Sequence, residues 1–183
     1  MEIRAFLALV VPFIIIIYFG FLLFIRAPRQ VMLLSLLGGL IAALINMAVD
    51  LVAYYAHWWN YVISGLFLHL PLPFYISQVL LYGSIVYLLI WRFWHTRAHW
   101  FSWLLLIGVP ILGFVRDLFY NGLTTRGYAQ WESPLAAPID FIMWVAFFYT
   151  GYFLFERFAP ARETFLAQDM QDAEVSSEQP IAR

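Results

Sequence analysis

The chain has 183 residues, of which 64% are hydrophobic and 11% are charged, and its mean hydropathy is +0.81. Soluble domains are roughly half apolar and about a quarter charged, so this composition excludes a water-soluble domain and indicates a protein surrounded by membrane lipid. The net charge is -1 and every basic residue is an arginine, a balance that argues against nucleic acid as a partner. Cysteine is absent, which excludes disulfides and thiolate metal sites.

Five hydrophobic segments are long enough to cross a hydrocarbon layer of about 30 Å as helices. They cover residues 5–25, 31–56, 72–94, 100–120 and 135–158. Because a helix satisfies its own backbone polar groups in lipid, we predict an all-α fold, a polytopic helix bundle of about five transmembrane helices within residues 1–158. From Ala159 the chain becomes polar and acidic, which is typical of a disordered tail over residues 159–183.

The placement of arginine predicts the orientation of these helices. Six arginines fall in connections on one common side of the membrane: Arg26, Arg29, Arg92, Arg97, Arg157 and Arg162. The positive-inside rule assigns that side to the cytoplasm, so we expect a multi-pass protein of the plasma membrane with its N-terminus outside and its C-terminus in the cytoplasm. The first span lacks a small-residue cleavage site after it, and we interpret it as a retained anchor.

Shifting the chain against itself by 67 residues gives a weak internal repeat without gaps. The shift aligns Asp50 with Asp117, Tyr61 with Tyr128, and Pro71 with Pro138. It pairs the second span with the fourth and the third with the fifth in the same direction, as a parallel duplication of a helix hairpin would. A composition this biased also produces chance matches, so both explanations stay open at this point.

Polar residues gather near the outer ends of the spans, where charged side chains are costly and usually face a cavity. Counting the helical rise puts three carboxyl groups at a similar depth, and we take Asp50, Asp117 and Asp140 as candidate catalytic acids. Helical spacing and the outer loops add candidate substrate-binding residues around them. These are Asn46, Tyr54, His57, Trp59, Tyr61, Tyr75, Gln78, Asn121, Trp131, Glu132 and Trp144.

This constellation predicts an aromatic cavity with a carboxylic acid in it. A carboxylic acid in an apolar pocket can stay neutral and donate its proton to an alkene, and aromatic faces can stabilise the resulting carbocation. Such chemistry suits a polyisoprenoid dissolved in the bilayer. The alternative is that the carboxylates only cap or pair near the interface, Asp117 with Arg126 for example, and that the tryptophans are interfacial anchors.

Histidine placement does not favour a metal or a haem. His95 and His99 have the i, i+4 spacing of a helical metal site, but they lie beside Arg92 and Arg97, which favours an anchor at the cytoplasmic interface. No span carries a histidine at mid-depth, where axial haem ligands would be needed, and no glycine-rich nucleotide motif is present. We therefore expect no metal and no cofactor.

The stretch from Asp50 through the aromatic loop His57-Trp58-Trp59-Asn60-Tyr61 to Leu70-Pro71-Leu72-Pro73 resembles the small integral-membrane lycopene cyclases and the related carotenoid hydratases. The likeness covers mainly residues 46–92 and extends to 113–158. It implies a helical membrane scaffold and acid-catalysed cyclisation or hydration of a carotenoid. Those families carry a Pro-Glu pair after the aromatic loop; this chain has Pro73-Phe74 there, and Asp140 after Pro138 is the approximate counterpart in the second hairpin.

Two further functions remain open from the sequence, which does not decide whether the chain is an enzyme. One is a non-catalytic pigment- or quinone-binding accessory subunit, with membrane lipid, a hydrophobic ligand and a homo- or hetero-oligomer as its partners. The other is a solute-binding component of a transporter, in which Arg126, Asp117 and Glu132 would bind a zwitterion.

Overall fold

The structure is a computed structural model that describes residues 3–124 and 127–160. It contains five helices long and apolar enough to cross a membrane: α1 (Ile3–Ile25), α2 (Arg29–Tyr55), α3 (Leu72–Phe93), α4 (His99–Gly122) and α5 (Ala136–Phe158). Their ends lie within two residues of the predicted ones. The helical fold class of a multi-pass membrane protein is therefore confirmed. The predicted tail beyond residue 160 and the predicted role of Arg126 lie outside the described residues.

Helix α2 lies at the centre of the bundle, in close contact with α3 and α5. Glycines make this approach possible, because a Cβ on Gly38 would lie 2.6 Å from the carbonyl oxygen of Gly151 and one on Gly39 would lie 2.5 Å from that of Val79. Small residues of this kind allow membrane helices to pack backbone to backbone. A buried hydroxyl chain also joins three helices: Tyr18 of α1 and Ser35 of α2 each hydrogen-bond Ser84 of α3, at 3.2 and 2.7 Å.

Helices α3 and α4 separate from one another toward one end of the bundle. The half of α3 that packs against α4 is Val86–Phe93, whereas its other half packs against α1 and α2. Near that end, both helices contain π-helical turns, Gln78–Ile85 in α3 and Leu118–Gly122 in α4. Such turns shift the side-chain register and occur frequently at functional sites.

A small antiparallel sheet, which the sequence did not predict, closes this end of the bundle. Strand β1 (Trp59–Tyr61) follows α2 and strand β2 (Ala129–Trp131) follows α4, with Trp59 opposite Trp131. The end that carries the sheet is called the sheet end below. Strand β1 lies in the first half of the possible repeat and β2 in the second, although the shift of 67 residues aligns β1 with residues 126–128 rather than with β2.

Candidate functional site

A cavity of about 350 Å³ lies beneath the sheet, between α2, α3, α4 and α5. Its lining is mostly aromatic, with Phe6, Trp59, Tyr61, Phe74, Tyr75, Tyr82, Tyr120, Tyr128, Trp131 and Trp144. Its other polar side chains are Asn46, Asp50, Ser77, Gln78, Arg116, Asp117, Asn121 and Asp140. The size falls within the range of small-molecule sites, which are concave, mainly apolar and supplied with a few convergent polar groups.

Asp50 is buried near the sheet end of α2, and both of its carboxyl oxygens accept hydrogen bonds. The indole Nε1 of Trp59 donates to Oδ1 at 3.0 Å, and the hydroxyl of Tyr75 donates to Oδ2 at 2.7 Å. Tyr61 also lies close enough to this carboxyl group to interact with it electrostatically. Asp50 therefore ties α2 to β1 and to α3.

Asp117 has an equivalent position at the sheet end of α4. Arg116 donates to its Oδ1 from Nη2 at 2.8 Å and from Nε at 3.0 Å, and the indole of Trp144 donates to Oδ2 at 2.8 Å. The hydroxyl of Tyr128 also donates to Oδ1. Arg116 extends the network to α3, because its Nη1 donates to the hydroxyl of Tyr82 at 2.8 Å.

Tyr61 and Tyr128, the tyrosines beside these two aspartates, remain protonated. Burial raises the pKa of Tyr61 well above its usual value, and the neighbouring Asp50 carboxyl raises it further. Burial and then Asp117 raise the pKa of Tyr128, against a smaller opposing effect of Arg116. A phenol whose pKa is raised in this way keeps its proton beside a carboxylate and can act as a hydrogen-bond donor to it.

Asp140 differs from the other two aspartates. It lies near the start of α5, is 5% exposed and lines the cavity. Its Oδ2 atom is buried and has no hydrogen-bond partner within residues 3–124 and 127–160. Buried polar atoms are normally paired, so an unpaired carboxyl oxygen at a cavity wall points to a group that binds there.

An amide pair at the cavity wall shows the same feature. The Nδ2 of Asn46 donates to the Oε1 of Gln78 at 2.6 Å, which links α2 to α3. The remaining Asn46 Oδ1 and Gln78 Nε2 atoms are buried and lack a partner in the part of the chain that is described. Asn46, Gln78 and Asp140 all line the cavity, so its walls contain one unpartnered amide acceptor, one unpartnered amide donor and one unpartnered carboxyl oxygen.

Most of the residues predicted for the site line this cavity. They are Asn46, Asp50, Trp59, Tyr61, Tyr75, Gln78, Asp117, Asn121, Trp131, Asp140 and Trp144. Three predicted substrate-binding residues, Tyr54, His57 and Glu132, lie outside it. Helical spacing placed Tyr54 and His57 on the Asp50 face, but α2 ends at Tyr55 and His57 has a left-handed φ of 54°, so the helical projection does not extend to His57. Tyr54 is still within α2 and does not line the cavity.

These three residues make other contacts at the surface. Tyr54 stacks on His69 with ring centroids 3.8 Å apart. His57 is exposed and its Nδ1 lies 3.6 Å from Glu132, which also accepts a hydrogen bond from Asn60 at 2.5 Å. Of the three residues predicted for a zwitterion site, Asp117 lines the cavity and Glu132 does not; Arg126 lies outside the described residues.

The principal functional side chain that sequence reasoning missed is Arg116. A charge inside a span is itself a signal of a site, and Arg116 binds the adjacent Asp117. Within the described ranges, no group of three or more His, Asp or Glu side chains is arranged to hold a metal ion. The cavity is instead suited to hydrogen bonding and proton transfer.

A scan of protein-family models and searches of curated proteins and solved structures found no match to this chain.

Proposed function

We propose that this chain is a plasma-membrane enzyme that protonates a carbon–carbon double bond of a polyisoprenoid, of carotenoid type, and so initiates its cyclisation or hydration. The observation that carries the proposal is the buried, unpartnered Oδ2 of Asp140 at the wall of an aromatic cavity. In this proposal Asp140 is the general acid. Its proton passes to the alkene, and the surrounding rings stabilise the carbocation through their negative faces.

The hydrogen bonds of the other aspartates support this division of roles. Each carboxyl oxygen of Asp50 and of Asp117 receives a bond from an indole, a phenol or a guanidinium group. Neither residue has a free oxygen like that of Asp140. Asp50 and Asp117 instead hold the aromatic walls in position and provide fixed negative charge near a developing cation, which is the preorganised electrostatics that catalysis requires.

The shape of the site supports a long apolar substrate that enters from the bilayer. A cavity of about 350 Å³ accommodates one end of a polyisoprenoid rather than the whole chain. In this proposal the remainder of the substrate chain extends from the cavity into the bilayer. By the arginine distribution, the sheet end faces outside and the opposite end faces the cytoplasm, which puts the reacting group in the outer leaflet.

The proposal is tested with purified protein in phospholipid vesicles that contain a linear carotene, followed by liquid chromatography and mass spectrometry. The wild-type protein is expected to form a product that is isomeric with the substrate or heavier by one water. Asp140→Asn removes the acid at nearly constant volume and is expected to lower the rate about 10²–10⁴-fold. Glu132→Gln, a carboxyl change outside the cavity, is the matched control. Wild-type rates in Asp140→Asn, or no conversion by the wild-type protein, would contradict the proposal.

A second candidate, a pigment- or quinone-binding accessory function, is favoured by one specific observation. The unpaired Nε2 of Gln78 is a buried donor, and a quinone carbonyl would accept its hydrogen bond. This function predicts a stoichiometric quinone in protein purified in mild detergent, lost in Gln78→Leu but retained in Asp140→Asn. A quinone that is absent from the purified wild-type protein removes this candidate.

A further inference from the structure

The amide pair Asn46 and Gln78 presents a defined hydrogen-bonding edge to the cavity. One bond of 2.6 Å joins the two amides, and the atoms left over are one acceptor, Asn46 Oδ1, and one donor, Gln78 Nε2. Exchanging oxygen and nitrogen in both amides leaves the same combination, one free acceptor and one free donor. Whichever way the amide oxygen and nitrogen atoms are assigned, a bound group must therefore donate one hydrogen bond and accept one.

Because the amide pair is buried, its unpaired atoms are unfavourable unless a bound group forms hydrogen bonds with them. Gln78 is 6% exposed, and a buried amide group without a hydrogen-bond partner is destabilising. A carbonyl oxygen satisfies only the donor, and an ammonium group satisfies only the acceptor. A water molecule or a hydroxyl group satisfies both, and buried waters typically bridge polar groups that would otherwise be unpaired.

We propose that the Asn46–Gln78 pair binds the water molecule that adds to the carbocation, which makes the enzyme a hydratase rather than a cyclase. The inference rests on the proposed function, in which Asp140 forms that cation in the same cavity. The pair acts as a positioning device, since it holds the nucleophile and takes no proton in the reaction. The product is then a tertiary alcohol.

The reaction balances without a redox partner. The π electrons of the alkene form a C–H bond with the proton of Asp140, leaving a carboxylate and a tertiary carbocation. A lone pair of the bound water then forms the C–O bond, and the proton lost from the oxygen returns to the Asp140 carboxylate. The net change is the addition of one water to one alkene. Without a positioned water, the cation instead loses a neighbouring proton to Asp140, which gives an isomerised alkene, or closes a ring.

The decisive experiment repeats the carotene assay in oxygen-18 water. The wild-type product is expected to be an alcohol that carries one heavy oxygen. The double variant Asn46→Leu/Gln78→Leu removes both amides, so it leaves no unpaired polar partner behind. We expect it to keep consuming the carotene while the ratio of alcohol to alkene or cyclic product falls roughly tenfold, the equivalent of two lost hydrogen bonds.

Asn60→Leu is the matched control for this variant. Asn60 is also an amide at the sheet end with a buried, unpartnered Oδ1 in the described ranges, but it does not line the cavity. We expect its product ratio to equal that of the wild-type protein. Conversion without heavy oxygen in the product, or an unchanged ratio in the double variant, overturns the water site and leaves the acid chemistry of Asp140 standing. Absence of any conversion by the wild-type protein is the distinct result that overturns the proposed function itself.

Discussion

The rings of Tyr61 and Tyr128 stack with their centroids 6.3 Å apart and their planes at 11°. Each tyrosine is paired with the aspartate eleven residues before it: Tyr128 donates a hydrogen bond to Asp117, and Tyr61 interacts electrostatically with Asp50. The same shift of 67 residues that aligns the tyrosines also aligns the aspartates. Two equivalent phenol–carboxyl pairs therefore meet at the centre of the sheet end, where the halves of the bundle join.

The functional side chains around these two phenol–carboxyl pairs differ between the two halves of the chain. Asp140 corresponds to Pro73 and Trp144 corresponds to Ser77 under the same shift. Only the second hairpin therefore supplies the carboxyl group to which we assign the acid, and the indole that binds Asp117. The amide of Gln78 corresponds to Val145, so the first hairpin alone supplies that side of the amide pair. In the proposed mechanism one half of the bundle provides the acid and the other half provides the water.

Removing either phenol should destabilise the fold. Tyr128→Phe removes a hydrogen-bond donor from the buried Asp117 carboxyl group, which costs about 1–3 kcal/mol, and Tyr61→Phe removes the phenol beside the Asp50 carboxyl group. The loss should be larger for Tyr128→Phe, because the Tyr128 hydroxyl also accepts a hydrogen bond from Arg116 at 3.3 Å. Thermal unfolding in detergent measures both changes. Tyr120→Phe, which alters a 59% exposed tyrosine, should leave Tm unchanged; equal Tm values for all three variants would contradict the hydrogen-bond assignment.

The same phenols predict how stability varies with pH. Their pKa values are raised in the folded state, by burial first and by the adjacent aspartates second, so the unfolded chain loses these protons at a lower pH than the folded one. Stability is therefore fully present below the ordinary tyrosine value of about 10 and falls as the pH rises above it. Denaturation followed from pH 8 to pH 12 should show this decline. The double variant Tyr61→Phe/Tyr128→Phe should show a flatter profile, and an equally steep decline would contradict the origin proposed here.

The five spans could be predicted because a chain in lipid has few possible backbone conformations. A hydrophobic run of sufficient length must be helical to satisfy its backbone, so composition and length alone located all five helices. The meeting of Asp50 and Asp117 was also predictable, because a charge inside a span must find a polar surrounding. Their position in a common cavity follows from this requirement and from the repeat.

The loops were less predictable because their contacts are long-range. Strands β1 and β2 are three residues each, and their pairing joins segments about seventy residues apart, which local sequence does not encode. Helical spacing also carried the polar face of α2 past its true end at Tyr55, and His57 was wrongly placed for that reason. The water site proposed for Asn46 and Gln78 depends on which amide atoms remain unpaired, and only coordinates reveal that.

Arg116 and Asp117 should show strong energetic coupling. Arg116→Gln leaves the buried Asp117 carboxylate without its cation and also breaks the bond to Tyr82. A fully buried pair costs 3–5 kcal/mol to break, but the Arg116 side chain is 37% exposed, so solvent screening should reduce the loss to about 2 kcal/mol. A double-mutant cycle with Asp117→Asn measures the coupling. Strictly additive losses would show that the pair does not contribute to stability.

Glycine contacts should control the assembly of the bundle. Gly151→Ala puts a methyl group 2.5 Å from the carbonyl oxygen of Gly38, so α2 and α5 must move apart, at a cost of about 1–3 kcal/mol for overpacking. Gly20→Ala and Gly108→Ala are the matched controls, because no atom outside their own helical surroundings lies within 4 Å of the added methyl group at either position. These two variants should be neutral or gain up to about 1 kcal/mol from the higher helix propensity of alanine. Thermal unfolding in detergent should therefore separate Gly151→Ala from the controls, and a matching Tm for all three would show that α2 and α5 do not pack through this glycine contact.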